Sequence, residues 1–163
     1  MIIAIDTNIL LDILKEDPSH FEHSKNLLQE YHSQGSLIIC PIVYSEVLTF
    51  FLEKFDQQEA TANLQQFLLD FDIQVINFTL EDAQKTASTW RNALRSNKQK
   101  IVCPKCGTSN QPLCIQCKET LLWRNHIITD FYIGAHAENR AEFLLTRDQG
   151  FYSKYCNIKI RSK

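Results

Sequence analysis

The sequence predicts a three-layer α/β/α domain built on a mostly parallel sheet. Short β-rich runs alternate along the chain with stretches whose apolar residues recur at helical intervals, the pattern of strands joined by crossover helices. The first run, residues 2–5, is apolar at every position, as expected of a strand buried on both faces. With 163 residues, 44% of them hydrophobic, the chain is long enough for one domain with a substantial core.

The elements of the first half follow from apolar spacing and from end signals. Their apolar residues recur on one face of a 3.6-residue period, which predicts helices. Gly35 is a stop signal for the second helix, and Pro41 closes the second strand. After the first strand we expect, in order, a helix over 8–15, a helix from Ser19 or Ser24 to about 33, a strand over 37–40, and helices over 42–53 and 60–71.

The second half continues the same alternation around one interruption. Residues 73–78 alternate as a strand, and Thr79 with Asp82 then forms a start that resembles a capping box. Residues 121–138 have helical spacing, although the middle of this stretch also scores as strand. The expected elements are a strand over 73–78, a helix from 79 through 94, a helix over 121–138, and strands over 143–146 and 158–160.

Three apolar runs along the chain each lead to an aspartate: Asp6, Asp130 and Asp148. A carboxylate at the end of a buried element costs desolvation energy unless a cation neutralises it. Because sites form at the carboxyl ends of parallel strands, Glu46, early in the helix after Pro41, could face the same crevice. Carboxylates are the ligands that Mg²⁺ and Mn²⁺ prefer. Taken singly, Asp6 also fits a helix N-cap, and Asp148 also fits a turn.

The net charge of −2 indicates no particular partner, but the charges are unevenly distributed. Residues 83–118 contain no Asp or Glu and seven of the 17 basic residues. This stretch could bind phosphates or could be an ordinary solvated helix face. The candidate RNA-binding residues are Arg91, Arg95, Lys98, Lys100 and Lys105. The sequence has no apolar run long enough for a membrane span and no signal peptide at its start, so we expect a cytoplasmic protein without membrane association.

Residues 101–118 interrupt the alternating pattern with two C-x-x-C pairs, seven residues apart. The pairs are Cys103 with Cys106 and Cys114 with Cys117. Paired turns of this kind hold tetrahedral zinc with four thiolates, so we predict a small zinc-ribbon insertion with a structural Zn²⁺. A disulfide is disfavoured without a secretion signal, and a redox pair needs only one C-x-x-C.

Four motifs in order resemble the PIN-domain nucleases, most closely the VapC-type toxins of toxin–antitoxin pairs. The motifs are Asp6-Thr7-Asn8 after a leading strand, Ser45-Glu46-Val47, Thr129-Asp130-Phe131 through Ala137, and Thr146-Arg147-Asp148-Gln149-Gly150-Phe151. The resemblance extends over nearly all of residues 1–163 as one PIN-like domain, and only the insertion at 101–118 falls outside it.

The resemblance implies an endoribonuclease that uses Mg²⁺ or Mn²⁺ to hydrolyse RNA phosphodiester bonds. Asp6, Glu46, Asp130 and Asp148 would be the catalytic acids, with Asp6 and Asp130 as the metal ligands. Thr7, Asn8 and Thr146 would orient these carboxylates. A cognate antitoxin and a homodimer are the implied protein partners. His136, in an apolar helix, is expected to be structural.

Three alternatives remain at this point. A housekeeping RNA-processing nuclease would keep the same site without an antitoxin. A non-catalytic zinc-bearing adaptor would have no need to keep buried acids together. A phosphatase of the haloacid-dehalogenase type also begins with an apolar strand and an aspartate, but that chemistry needs a second acid where this chain has Asn8.

Overall fold

The structure is a computed structural model, which describes residues 1–96, 101–102, 109–110, 113–118 and 129–162. Its main sheet contains five strands: β1 (Ile2–Ile5), β2 (Ser36–Ile39), β3 (Ile73–Val75), β6 (Phe143–Leu145) and β7 (Lys159–Arg161). Its helices are α1 (Thr7–Leu14), α2 (Phe21–His32), α3 (Pro41–Leu52), α4 (Gln57–Asp70), α5 (Leu80–Ser96), α6 (Thr129–Arg140) and α7 (Gln149–Tyr155). Two short strands, β4 (Ile101–Val102) and β5 (Ser109–Asn110), form a separate antiparallel pair.

The five-stranded sheet is parallel throughout, in the order β3-β2-β1-β6-β7. Its central strands are almost inaccessible: Ile3, Leu37 and Leu144 are all fully buried. Such strands must be covered on both faces. Because parallel crossovers are right-handed, the chain covers one face on its way from β1 to β3 and the other on its way back to β6 and β7.

The strand order reverses between β1 and β6, and this point determines where a site can form. The two strands are paired in register from Ile3 with Phe143 to Ile5 with Leu145. Immediately past that pairing the Asp6 amide donates to the Leu145 carbonyl at 2.9 Å. Asp6 and Thr146 therefore lie side by side at the carboxyl edge of the sheet, at the topological switch point.

Most predicted elements are confirmed, with shifts of a few residues at their ends. The strand predicted over 73–78 ends early, at Val75. The Ile76 carbonyl bonds to Nε2 of His136 at 2.9 Å, so the chain leaves the sheet there to meet α6. The predicted serine caps of α2 are wrong. His20 is the N-cap residue, and Asp17 Oδ1 instead accepts the amides of the two residues before the helix.

Two further differences concern the end of the chain. Helix α7 was not predicted, because seven residues that include Gly150 make less than two turns of periodic signal. The predicted helix over 121–138 is confirmed from Thr129 onward, and its earlier part lies outside the described residues.

Within the described part of the chain, none of the helices combines the length and the hydropathy that crossing a membrane requires.

Candidate active site

The centre of the site is the carboxylate of Asp6, which is 5% exposed at the end of β1. Oδ1 of Asp6 accepts the Thr7 amide at 2.8 Å, which makes Asp6 the N-cap of α1. Oδ2 accepts Nδ2 of Asn8 and Oγ1 of Thr146, both at 2.6 Å. Burial raises the pKa of Asp6, and these hydrogen bonds oppose that effect only in part.

Thr146 connects β6 to this carboxylate and to the loop that follows. Its hydroxyl donates to Asp6 and accepts both Nδ2 of Asn8, at 3.1 Å, and the Asp148 amide, at 3.0 Å. Oδ1 of Asn8 in turn accepts the Arg147 amide at 3.1 Å. The side chains of Asn8 and Thr146 thus hold the Asp6 carboxylate and the 146–148 loop in one hydrogen-bonded unit.

Glu46 reaches the same edge from α3. Pro41 is the first residue of that helix, where its missing amide hydrogen costs nothing. The helix buries Val43 and Val47, and it leaves Glu46 partly accessible. The Thr7 hydroxyl donates to Oε2 of Glu46, so α1 and α3 are linked directly beside Asp6.

Asp130 and Asp148 approach the site from α6 and from the start of α7. Asp130 lies in the first turn of α6 and is half-buried. Burial, followed by the charges of Asp6, Glu46 and Asp148, raises the pKa of Asp130 to about 6. Asp148 is exposed, and its Oδ1 accepts the Phe151 amide at 2.9 Å as the N-cap of α7. The N-cap alternative for Asp6 is therefore confirmed, whereas Asp148, for which a turn was the alternative, caps α7.

The four acids are close enough to influence one another electrostatically, and no described cation compensates them. Arg147, the nearest basic residue in sequence, turns its Nε to Oδ2 of Asp12 at 2.8 Å. Among the described residues, no three Asp, Glu, His or Cys side chains converge closely enough to form a ready-made metal site. A cation bound here would have to draw these carboxylates closer together. Oδ1 of Asp6, with one hydrogen bond, has room for it.

The family model of the PIN domain matches residues 3–102, well over half of the chain. The chain belongs to the PIN-domain family. PIN domains are generally nucleases and typically use Mg²⁺ or Mn²⁺, so membership indicates a hydrolase acting on nucleic acid. The family match ends where the insertion begins, and the carboxyl-terminal acids lie beyond it. A comparison with curated protein sequences finds no match.

Solved structures share the fold of this PIN domain over nearly its whole length. VapBC2 from Rickettsia felis, bound to a DNA fragment from its promoter, has a TM-score of 0.64 at 18% identity, covering 99% of this chain and 98% of that one. VapBC-1 from nontypeable Haemophilus influenzae has a TM-score of 0.65 at 17% identity, with the same coverage. FitAcB from Neisseria gonorrhoeae has a TM-score of 0.63 at 16% identity, covering 98% of this chain and 96% of that one.

Two polar residues of this PIN domain were missed from sequence. Asp12 is 3% exposed and accepts the Ser24 hydroxyl at 2.7 Å in addition to its ion pair with Arg147. The sequence could have indicated that Asp12 is buried, because it lies in the same apolar stretch as Ile9 and Ile13. Tyr152 is 1% exposed, and its hydroxyl lies toward the acids. It was missed because α7 itself was missed.

His136 is a structural residue, in agreement with the expectation. It is 1% exposed, its Nε2 bonds to the Ile76 carbonyl, and its ring meets that of Phe78 edge-on at 5.6 Å. Burial lowers its pKa and favours the neutral ring. These contacts are with the segment that follows β3.

The predicted basic surface is only partly available for description. Arg91 and Arg95 are exposed on α5, whereas Lys98, Lys100 and Lys105 lie outside the described residues. The ring of Trp90 meets Phe131 at 5.3 Å, so the second half of α5 lies beside the first turn of α6. The two arginines are therefore at the same end of the domain as Asp130. Lys85, counted in the basic stretch, pairs with Glu138.

The second C-x-x-C pair of the insertion forms a tight turn. The Lys118 amide donates to the Cys114 carbonyl at 2.9 Å, and Lys118 has a φ of 62°. The backbone amides of Cys117 and Gln116 donate to the Cys114 sulfur and lower its pKa. Cys103 and Cys106 lie outside the described residues, although β4 and β5 flank them.

Proposed function

We propose that this PIN domain is a divalent-metal-dependent endoribonuclease and the toxin of a type II toxin–antitoxin pair. The observation that supports it best is the set of four uncompensated carboxylates at the switch point of the sheet. Like charges gathered without a cation are unfavourable unless a ligand neutralises them. Burial, followed by the charges of the other three acids, raises the pKa of Asp130 to about 6, which supports this argument.

The donor chemistry of this edge fits Mg²⁺ or Mn²⁺. Asp6 and Asp130 would hold the cation, and Glu46 and Asp148 would complete the site directly or through water. When bound, such an ion supplies an activated water and neutralises charge that develops on the phosphate oxygens. Asn8 and Thr146 keep the Asp6 carboxylate in one orientation through hydrogen bonds of 2.6 Å each. Thr7 does the same for Glu46.

RNA is the proposed substrate, and the exposed end of α5 is its proposed entry surface. Arg91 and Arg95 lie at the Asp130 end of the domain, where they would attract phosphates toward the acids. We include Lys98, Lys100 and Lys105 in the proposal because they continue the acid-free stretch. Replacing Arg91 and Arg95 by glutamate should weaken RNA binding and reduce its salt dependence, whereas Lys54→Glu, in the loop after α3, should not.

Cleavage of RNA with and without Mn²⁺ tests the central proposal. Asp6→Asn and Asp130→Asn should reduce cleavage to background because each removes a charged ligand without removing volume. Asp70→Asn, at the exposed end of α4, is the matched control and should retain wild-type activity. Circular dichroism and thermal melting must show that the variants remain folded. Undiminished cleavage by folded Asp6→Asn and Asp130→Asn variants would refute the acidic site.

The toxin assignment adds an antitoxin partner and a homodimer. It is supported by the solved complexes that share this fold, which are described as VapBC assemblies from several bacteria. Induced expression should arrest growth, and co-expression of a small protein encoded next to the gene should relieve the arrest. Cleaved RNA ends sequenced from cells expressing wild type or Asp6→Asn would identify the target. RNA cleavage without growth arrest would favour the housekeeping alternative.

A structural Zn²⁺ on Cys103, Cys106, Cys114 and Cys117 completes the proposal. The support is the turn at Cys114, where amide donors face the sulfur and the residue after the second cysteine has a positive φ. The first pair is followed by Gly107, the residue type best suited to a positive φ at the equivalent position. Metal analysis should find about one zinc per chain. Cys103→Ser with Cys114→Ser should lose it, whereas Cys156→Ser should not.

A further inference from the structure

The hydroxyl of Tyr152 is an unusual group in this molecule. Across the described part of the chain it is the one buried side-chain polar atom that lacks a hydrogen-bond partner. Leaving a buried donor without an acceptor is costly, so such an atom in a native protein requires an explanation. The residue is 1% exposed and cannot turn toward solvent without moving α7.

Packing directs this side chain into the acidic site. Its ring lies against Gly134, where a Cβ atom would come within 3.6 Å of the ring carbons. Gly134 is one helical turn beyond Asp130 on the same face of α6. On the other side the ring of Phe151 meets Tyr152 edge-on at 5.3 Å. The ring of Tyr152 therefore packs at ordinary contact distance beside Gly134, on the face of α6 that also carries Asp130.

Two of the groups near the hydroxyl, Asp6 and Asp130, are carboxylates and therefore acceptors, and the third is the Cys156 thiol. Besides burial, the charges of Asp6 and Asp130 raise the pKa of Tyr152, which keeps the phenol protonated and able to donate. Tyr152 also acts on Asp6 as a side-chain donor that lowers its pKa, although the hydroxyl does not meet the geometry of an ordinary hydrogen bond. The Tyr152 hydroxyl thus lies beside the Asp6 and Asp130 carboxylates, and no described cation neutralises those carboxylates. A hydrated metal ion would provide that positive charge, and one of its water molecules could accept the hydrogen bond of the hydroxyl.

We propose that Tyr152 is a positioning residue of the acidic site, whose hydroxyl holds the Asp6 and Asp130 carboxylates, directly or through one water molecule, in the arrangement that binds a divalent cation. This inference rests on the proposed function. Partners of this kind fix the orientation of carboxylate ligands, and their loss typically weakens metal binding about 10- to 100-fold. The hydroxyl contacts neither RNA nor the scissile bond in this proposal.

The test compares Mn²⁺ binding by calorimetry for the wild type, Tyr152→Phe and Tyr31→Phe. Tyr31 is a buried tyrosine of α2 that packs on Phe143, at the opposite end of β6 from the acids, so its variant is the matched control. Tyr152→Phe should raise the Kd for Mn²⁺ about 10-fold or more. It should cleave RNA with wild-type KM, and saturating Mn²⁺ should restore most of kcat. Tyr31→Phe should leave the Kd unchanged.

The melting temperature provides a readout that does not depend on cleavage. Mn²⁺ should raise the melting temperature of Tyr152→Phe less than that of the wild type, because the stabilisation follows the ratio of ligand concentration to Kd. An unchanged Kd in folded Tyr152→Phe would overturn the inference while leaving the nuclease proposal intact. A wild type that binds no Mn²⁺ would overturn both, and Asp6→Asn serves as the reference for lost binding.

Discussion

Asp82 offers the most quantitative test of how this fold is stabilised. It lies in the first turn of α5 with a side chain that is 0% exposed, and it is paired with Arg140 of α6 through a bond of 2.5 Å. Its carboxylate also accepts Nδ2 of Asn139 at 2.7 Å and the Thr79 amide at 2.7 Å. The perturbation is Asp82→Asn, which removes the charge and preserves the volume.

The magnitude follows from the pKa of this carboxyl. Burial opposes its ionisation, but the hydrogen bonds from Arg140, Thr79 and Asn139 outweigh burial and lower the pKa from 3.8 to about 2. A shift of this size corresponds to about 2 kcal/mol of stability. Because the folded-state pKa is depressed, this contribution is fully present above the unfolded-state pKa near 3.8 and is lost as the pH falls toward 2.

Urea unfolding at a series of pH values between 7 and 2.5 measures this contribution. At pH 7, the free energy of unfolding of Asp82→Asn should be about 2 kcal/mol lower than that of the wild type. The difference should shrink as the pH falls below 4, because the wild-type carboxyl then takes up its proton. Glu53→Gln, an exposed acid after α3, should follow the wild type at every pH. A difference between wild type and Asp82→Asn that stays constant from pH 7 to 2.5 would refute the linkage.

Two further predictions concern packing and hydrogen bonding near the site. Thr146→Val should lower the free energy of unfolding in urea by about 1–3 kcal/mol and should weaken Mn²⁺ binding, because Asp6 loses a charge-assisted donor. Thr146→Ser keeps the hydroxyl and is the control. Equal losses in the two variants would contradict the role of that hydrogen bond. Gly134→Ala should destabilise by about 1–3 kcal/mol because its Cβ would collide with Sγ of Cys156. Adding Cys156→Ala to Gly134→Ala should recover part of that loss. If the changes in unfolding free energy of the two single variants simply add in the double variant, the collision is contradicted.

The sequence predicts the centre of the sheet well because the central strands are almost entirely buried. Residues 2–5, for example, contain no polar residue, so pattern and packing agree. The failures occur where a tertiary contact competes with the local pattern. The strand predicted through 78 ends at Val75 because the Ile76 carbonyl bonds to His136, which is 60 residues distant in sequence. A short element such as α7 depends on its cap, Asp148, more than on its periodicity.

In the candidate site, too, the sequence reveals residues with a clear local pattern and misses those placed by tertiary packing. Apolar runs lead to Asp6, Asp130 and Asp148, and the start of the helix after Pro41 adds Glu46. The family resemblance then assigns a role to each of these acids. Tyr152 has no such local pattern. Its place beside the acids depends on the packing of α7 against Gly134, which one sequence does not reveal. The zinc proposal rests on the spacing of the four cysteines, which is visible in the sequence. In the described residues, only the turn at Cys114 tests the local geometry that this spacing implies.

The two ends of the α5–α6 helix pair contrast a compensated acid with one surrounded by other acids. Asp82 and Asp130 are both acids in the first turn of a helix; Asp82 is fully buried and Asp130 is half-buried. Asp82 has Arg140, Asn139 and a capping amide, and its pKa falls to about 2. Burial, followed by the charges of three other carboxylates, raises the pKa of Asp130 to about 6. One arrangement holds a buried charge stably, whereas the other maintains repulsion that a divalent cation would relieve. This contrast between one compensated acid and four acids without a described cation supports the proposed cation site.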